Sequence, residues 1–573
     1  MITVPPVLAS ALNSLAADWE SDDGVSRLWR GDAALWTGAD EGRWLGWLRA
    51  VPVSSGELKS LEALQREVRA GGFEHVVLMG MGGSSLCPDV LRQCFERPAS
   101  ALQLHVIDST DPAQVRAVDA RIDYGRALFI VASKSGTTLE PDLFLRYFAA
   151  RARQALGANA ARQFVAITDP GSQLEQLARA ERFGHLFHGV PAIGGRFSAL
   201  SNFGLVPAAV MGLEVERLAA RAAAMRAACE ADVPLPENPG AMLGLMLAAG
   251  VRIGRDKLTF VMSPAYKPLG AWLEQLLAES TGKNGVGLIP VDGEKVGPPE
   301  VYRDDRLFVY VRDQLAPDAA QDAAVEGLEA AGRPVIRLVL KDAYDLAAEF
   351  YRWEFATAVA GSAMGINPFD QPDVEASKVE TRRLTAAYEA DGALPAEEPI
   401  IRDGSISVYA DRMNAEVLAG RAGDGRLESV LGAHCDRIGP GDYLALLAYV
   451  EMAESHARPL QRIRHAVRDA HGAATSVGFG PRFLHSTGQL YKGGPNTGVF
   501  IQITCDDSAD LPVPGRRSTF GVVKAAQACG DYQVLSDRGR RLLRLHLTGN
   551  VAAGLDRIAD LVRQNVQRGE AGP

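Results

Sequence analysis

The chain has 573 residues, 47% hydrophobic and 23% charged, with a formal net charge of −10. That length exceeds one ordinary core and predicts two or three domains, and no apolar run approaches the roughly 18 residues of a membrane span. The acidic balance argues against a nucleic-acid partner, and six scattered cysteines without a C-x-x-C pattern predict neither disulfides nor structural zinc.

The N-terminal stretch lacks a basic region ahead of its short apolar part and turns acidic at Glu20, Asp22 and Asp23. No signal peptide is expected, which makes the cytoplasm the expected compartment. Residues 1–73 form an N-terminal helical segment in which Trp19, Trp29, Trp36, Trp44 and Trp47 serve as packing anchors.

From 74 to 254, apolar runs at 75–80, 104–108, 127–132 and 163–168 alternate with helical patterns, the signature of a parallel sheet wrapped by crossover helices. The first run opens into LMGMGGSSLCP, Leu78 to Pro88. Gly80, Gly82 and Gly83 allow positive φ and close approach of a ligand, and the free N–H groups of the next helix face negative charge. Alone, this loop equally fits the glycine of any parallel α/β turn. A second loop shifts the balance. IVASKSGTTLEP, Ile130 to Pro141, sets Ser133, Ser135, Thr137 and Thr138 around Lys134, a cradle for phosphate that matches neither the P-loop nor the dinucleotide spacing.

A helical region from 200 to 254 leads to a second alternating set, 255–388, with runs at 257–263, 286–291, 306–311 and 334–340. Before it, VPAIGGRFSALSNFGL (Val190 to Leu205) puts Arg196 between two glycines and a hydroxyl-bearing helix start; a surface arginine is the competing reading. In AWLEQLLAESTGK (Ala271 to Lys283), Gln275 and Glu279 lie four apart on one helical face, with Glu279 just before a Ser-Thr-Gly stop. A solvated glutamate competes there. In GINPFDQPDVEASK (Gly365 to Lys378), Gln371 and Lys378 lie two turns apart if a helix starts at Pro372. Residues 389–404, acidic and rich in Pro and Gly, read as a linker. A C-terminal α/β domain, 405–573, follows, with helical patterns at 441–471 and 550–564 and strand-like runs at 498–504 and 542–547.

Five of these strings, GMGGSSL, SKSGTTLEP, IGGRFS, ESTGK and NPFDQPDVEASK, resemble the motifs of phosphoglucose isomerases in the family's own order, over roughly residues 70 to 380. NGVGLIPVDGE and LHSTGQLYKGGPNTG resemble the isomerases that are fused to transaldolase, although no transaldolase portion is expected here. The resemblance implies an α/β fold of two sugar-isomerase (SIS) domains, with parallel sheets flanked by helices, plus the C-terminal α/β extension. It implies interconversion of glucose 6-phosphate and fructose 6-phosphate without metal or organic cofactor. The implied partner is a small-molecule sugar phosphate, with no nucleic acid and no membrane; the chain would be a monomer or homodimer, with a separate or fused transaldolase in relatives. The alternatives are an isomerase of another hexose phosphate and a non-catalytic sugar-phosphate-binding regulator. The regulator would keep the phosphate loop while losing Glu279 or Arg196, and both are present.

Carried onto this sequence, the family's phosphate site falls on Ser133, Lys134 (through its backbone), Ser135, Thr137 and Thr138, with Gly83 and Ser84 near the sugar. Glu279 matches the base, Arg196 the enediolate stabiliser, Gln275 and Gln371 the ligand-binding amides, and Lys378 a lysine that assists ring opening with a histidine. That histidine is where the pattern departs: in the family it lies between the glutamate and the lysine, and residues 280–377 contain none. His485, followed by Gln489-Leu490 at the same H-x-x-x-Q-L spacing, is the expected substitute, delivered by the C-terminal extension. A packed structural histidine is the competing reading.

Overall fold

The computed structural model describes residues 4–51, 55–96 and 102–570; the outermost residues of the first and last expected segments, 1–3 and 571–573, lie outside the described residues. Three sheets organise the described residues. The first contains β1 (His75–Met79), β2 (Gln103–Ile107), β3 (Ala127–Ala132), β4 (Phe164–Thr168) and β5 (His185–His188), in the order β2-β1-β3-β4-β5 and parallel throughout. The second contains β6 (Lys257–Met262), β7 (Ile289–Val291), β8 (Arg306–Asp313) and β9 (Val335–Leu340), in the parallel order β7-β6-β8-β9.

The third sheet repeats that scheme. Its parallel strands β12 (Tyr443–Tyr449), β13 (Ala474–Phe479), β14 (Gly498–Cys505) and β15 (Arg541–Leu547) run β13-β12-β14-β15, and antiparallel β11 (Ile406–Tyr409) and β10 (Ile401–Asp403) extend the β15 edge. In all three sheets the first parallel strand stands second in order, so the strand order reverses beside it. Such a reversal opens a crevice at the carboxyl ends of the strands, where ligands bind.

The central strands are buried end to end. All six residues of β3 (ALFIVA) and all seven of β12 (YLALLAY) are inaccessible, as expected of parallel strands covered by helices on both faces. The N-terminal helices and the first two sheets share one large core, while the third unit has its own. A separate seam joins them: Ile289 and Val291 of β7 pack with Tyr443, Tyr449 and Tyr491. The tryptophans largely anchor packing. Trp47 stacks on Phe197 at 5.4 Å, and Trp36 Nε1 donates to the Ala358 carbonyl at 2.8 Å. Trp44 differs, since the Lys134 ammonium stands 5.7 Å from its ring centre.

Two expectations about elements need correction. The helical pattern at 441–471 holds strand β12 followed by helix Glu454–His471, because a strand buried on both faces shows no alternation. The 389–404 stretch is partly ordered: helix Pro372–Asp391 runs into it and β10 occupies its end. All six cysteines are free thiols. Among the described residues no helix is long and apolar enough to cross a membrane, and no cluster of metal-ligating side chains is found.

Candidate active site

β1 ends in the glycine loop, whose turn Gly82–Ser84 leads into helix Leu86–Cys94. Only Gly82 of its glycines takes positive φ, at 54°. A Cβ there would stand 2.7 Å from the Gln275 amide nitrogen and 3.1 Å from the His485 carbonyl oxygen. Gly83 is required for a different reason: a Cβ would collide with the Gly195 carbonyl, so the glycine loop and the arginine loop touch backbone to backbone. The expectation of positive φ at Gly80 and Gly83 is therefore corrected to one of space.

The second loop follows β3 and opens helix Leu139–Leu156. Ser135 Oγ and Thr137 Oγ1 lie 2.8 Å apart, and Ser133 Oγ donates to Thr138 Oγ1 at 3.3 Å. Thr138 precedes the helix with no side-chain cap, so the helix's first N–H groups open toward the loop. The Lys134 ammonium turns away to Asp169 Oδ2 (2.5 Å) and the Pro191 carbonyl (3.1 Å), which leaves the backbone of this residue at the loop.

Facing these loops, Gln275 and Glu279 share one face of helix Leu269–Thr281, and Gln275 Nε2 donates to Glu279 Oε2 at 3.1 Å. The other carboxylate oxygen accepts from Arg196 Nη1 at 3.0 Å. Arg196 sits in the turn Gly195–Phe197 and is buried. Every arm of its guanidinium is engaged: Nε donates to Ser280 Oγ (2.7 Å), Nη1 also to Gln371 Oε1 (2.9 Å), and Nη2 to the Pro368 and Asp370 carbonyls (2.6 and 2.9 Å). The cation is thus fixed in place before any ligand arrives. Behind it, Lys283 Nζ pairs with Asp370 Oδ1 at 2.8 Å and donates to the Asn367 carbonyl. Burial, then the neighbouring Arg196 charge, pull this lysine down to about 7.

Gln371 stands at the N-terminal boundary of helix Pro372–Asp391, and Lys378 lies two turns along it. The lysine stays at the rim, 42% exposed and 3.6 Å from Glu375.

His485 enters from the third unit. The turn Arg482–His485 follows β13 and lies against the glycine loop, where the His485 carbonyl accepts from Gln275 Nε2 at 2.7 Å. Its Nε2 is 3.0 Å from Glu140 Oε1, which also accepts from Gln527 Nε2 at 2.7 Å. Burial alone would raise the Glu140 carboxyl, but the charge and hydrogen bond of His485 outweigh it and hold the group below its ordinary value. Gln489 stays outside the cavity. It accepts from the Asp373 and Val374 amides at 2.9 and 3.2 Å, satisfying free N–H groups of the Lys378 helix, and donates to the Gly282 carbonyl at 3.0 Å.

One cavity of about 490 Å³ brings Gly83, Ser84, Ser133, Lys134, Ser135 and Thr138 together with Arg196, Gln275, Glu279, Gln371, Lys378 and His485. Thr137 faces a neighbouring cavity of about 900 Å³. Sequence reasoning gave no role to Glu140 or Lys283, although each stood inside a string already singled out, as the glutamate of TTLEP and the lysine of ESTGK.

Parallel sheets here hold a hydroxyl-rich loop opposite a carboxylate and a fixed guanidinium, an arrangement that can hold an anion and move a proton beside a fixed positive charge. The phosphoglucose isomerase family model matches residues 51–293. A glucose-6-phosphate isomerase of Rubrobacter xylanophilus is 34% identical over 371 residues, 56% of this chain and 84% of that relative. One from Thermus thermophilus is 30% identical over 391 residues, 61% of this chain and 91% of the relative. Among solved structures, a hypothetical protein of Thermus thermophilus superposes with a TM-score of 0.58 at 25% identity, covering 67% of this chain and 99% of its own. A glucose-6-phosphate isomerase of Chlamydia trachomatis, at 23% identity, shares the fold with a TM-score of 0.54, covering 65% of this chain and 86% of its own. The chain belongs to the phosphoglucose isomerase family.

Proposed function

We propose that this chain interconverts glucose 6-phosphate and fructose 6-phosphate. The observation that carries the reading is that one cavity joins the hydroxyl loop of residues 133–138 to Glu279, Arg196 and His485. A phosphate held on Ser133, Ser135, Thr138 and the backbone at Lys134, with Thr137 bracing Ser135, leaves the sugar carbons toward the glutamate. Opening the ring needs a proton delivered to the ring oxygen and one withdrawn from the anomeric hydroxyl; His485 and Lys378 are the groups for this exchange. With Nε2–H donating to Glu140, the Nδ1 of His485 remains for the substrate.

In the open aldose, Glu279 removes the C2 proton and returns it to C1, while the hydroxyl proton passes from O2 to O1, so that the carbonyl moves from C1 to C2. The cis-enediolate formed between the two transfers carries its charge on oxygens beside Arg196. Gln275, Gln371 and the Gly83-Ser84 backbone hold sugar hydroxyls. Metal and organic cofactors have no part in this reading, because a carboxylate and a guanidinium supply both the proton transfer and the charge stabilisation.

Every residue named comes from one chain, so one chain is the catalytic unit whether the protein is a monomer or a homodimer. The reading places it in the cytoplasm, where thiols such as its six free cysteines stay reduced. Purified protein mixed with fructose 6-phosphate and an NADP-linked glucose 6-phosphate dehydrogenase should produce NADPH. No NADPH above the blank would overturn the assignment.

A further inference from the structure

His485 reaches the cavity on a short turn from another folding unit, and its usefulness depends on how that turn is seated. Two of its anchors are already described: the backbone carbonyl on Gln275 and the imidazole on Glu140. A third lies three residues earlier, outside the cavity. Arg482 Nη2 donates to Asp89 Oδ2 at 3.0 Å, and its Nε is 3.3 Å from Asp108 Oδ2. Asp89 belongs to helix Leu86–Cys94, which the glycine loop opens, and Asp108 follows β2. Asp108 Oδ2 also accepts from Ser85 Oγ at 3.3 Å, and the same hydroxyl donates to the Gly82 carbonyl at 3.2 Å. One guanidinium of the third unit therefore grips two carboxylates of the first, on the scaffold of the glycine that His485 lies against.

We propose that Arg482 is the positioning residue of His485: bridging Asp89 and Asp108, it fixes the turn 482–485 so that the imidazole stands in the cavity against Glu140. This rests on the isomerase reading above. The contact suits arginine and not lysine, since a planar fork reaches carboxylates on two elements while an ammonium is a single point charge. The three side chains are largely withdrawn from solvent, at 17%, 8% and 4% exposure, so the geometry is held with little screening by water. Arg482 leaves the phosphate loop, Glu279 and Arg196 untouched. Its effect should therefore fall chiefly on the step that uses His485.

The test compares a substrate that needs ring opening with one that does not. 5-Deoxyfructose 6-phosphate lacks the hydroxyl that closes the furanose, so exchange of its C1 proton with deuterated solvent reports Glu279 chemistry alone. Arg482→Met should lower kcat on fructose 6-phosphate by about 10²-fold, as expected when a reacting group is misplaced by about 1 Å. KM for fructose 6-phosphate and exchange from the deoxy sugar should stay within about twofold of wild type on the same argument, and Arg482→Lys should recover part of the loss. In a His485→Ala background, Arg482→Met should cause no further fall in turnover.

Removing the cation leaves Asp89 and Asp108 facing each other without it, so Asp108→Asn, which keeps the Asp89 contact, is measured in parallel and decides the matter if Arg482→Met does not fold. Equal losses in both assays, or losses that multiply in the His485→Ala background, would show a general staple and overturn the proposal. Normal turnover of His485→Ala by itself would instead overturn the role of the histidine in the reading on which this rests.

Discussion

His485 Nε2 lies 3.0 Å from Glu140 Oε1 although 345 residues separate the two in the chain. The contact fixes the ring and commits one nitrogen to the carboxylate. Glu140→Gln keeps the size of the partner and removes its charge, so it should slow turnover of cyclic fructose 6-phosphate while sparing solvent exchange from an open-chain substrate. His485→Ala should show the same pattern more strongly, a loss within the roughly 10²- to 10⁴-fold range of general acid–base groups. Losses of equal size in both assays would remove the pair from ring opening.

Glu279→Gln preserves the shape of the side chain beside Arg196 and Gln275 but removes the base. Turnover should fall by about 10²- to 10⁴-fold, with exchange of the substrate C2 proton abolished and circular dichroism unchanged. A variant retaining most of its activity would show that another group moves the proton.

Ser135→Ala combined with Thr138→Ala removes hydroxyls that face a group remote from the reacting carbons. KM should rise far more than kcat falls. In the same experiment EDTA should leave the wild type unaffected, and activity lost to EDTA and restored by a divalent cation would contradict the cofactor-free mechanism.

Because Glu279, Arg196 and His485 meet within one chain, activity per chain should be constant on dilution. Light scattering and assay across one dilution series check this together. A dimer whose specific activity collapses as it dissociates would refute the self-contained site.

Glu274, on the same helix as Glu279, is raised to about 8 by burial and then by the nearby Asp292 carboxylate. The folded protein therefore binds this proton more tightly than the unfolded chain. Its contribution to stability is complete below the ordinary value of 4.5 and is lost as pH rises through about 8. One such proton amounts to at most about 1.4 kcal/mol per pH unit. Urea midpoints should fall across that window in the wild type and fall less steeply in Glu274→Gln. Parallel slopes would assign the effect elsewhere.

The fold class and the loops that line the cavity were legible in the sequence, and some individual elements were not. Loops at strand ends are marked by glycine and hydroxyl residues whose types are dictated by backbone approach and anion binding, so the 80–84 and 133–138 segments stand out without a structure. The fixed periods of a helix put Gln275 on the face of Glu279, and Pro372 marks the start of the Lys378 helix. Strand β12 was illegible for a physical reason: seven consecutive buried residues erase the alternation that marks a strand. Strand β5, HLFH, is partly exposed at a sheet edge and carries two histidines, so it offers no apolar run. Glu140 was hidden differently. Nothing local distinguishes a first-turn glutamate that supports a helix dipole from one that meets a histidine brought from another unit. The spacing H-x-x-x-Q-L did carry information, but its two polar residues serve different ends, one in the cavity and the other on the backbone of a neighbouring helix.

The grip of Arg482 on Asp89 spans 393 residues of chain, and this sets an order of assembly. During synthesis the anion loop, the arginine and the glutamate emerge well before the histidine that completes them, and domains of a long chain fold largely as units, N-terminal first. On the isomerase reading, the nascent protein should pass through a stage that holds sugar phosphate and lacks the histidine needed to open its ring. Refolding from denaturant should carry the same signature: recovery of ligand binding should precede recovery of turnover, in a second phase that is unimolecular because it is the docking of the last unit onto the first two.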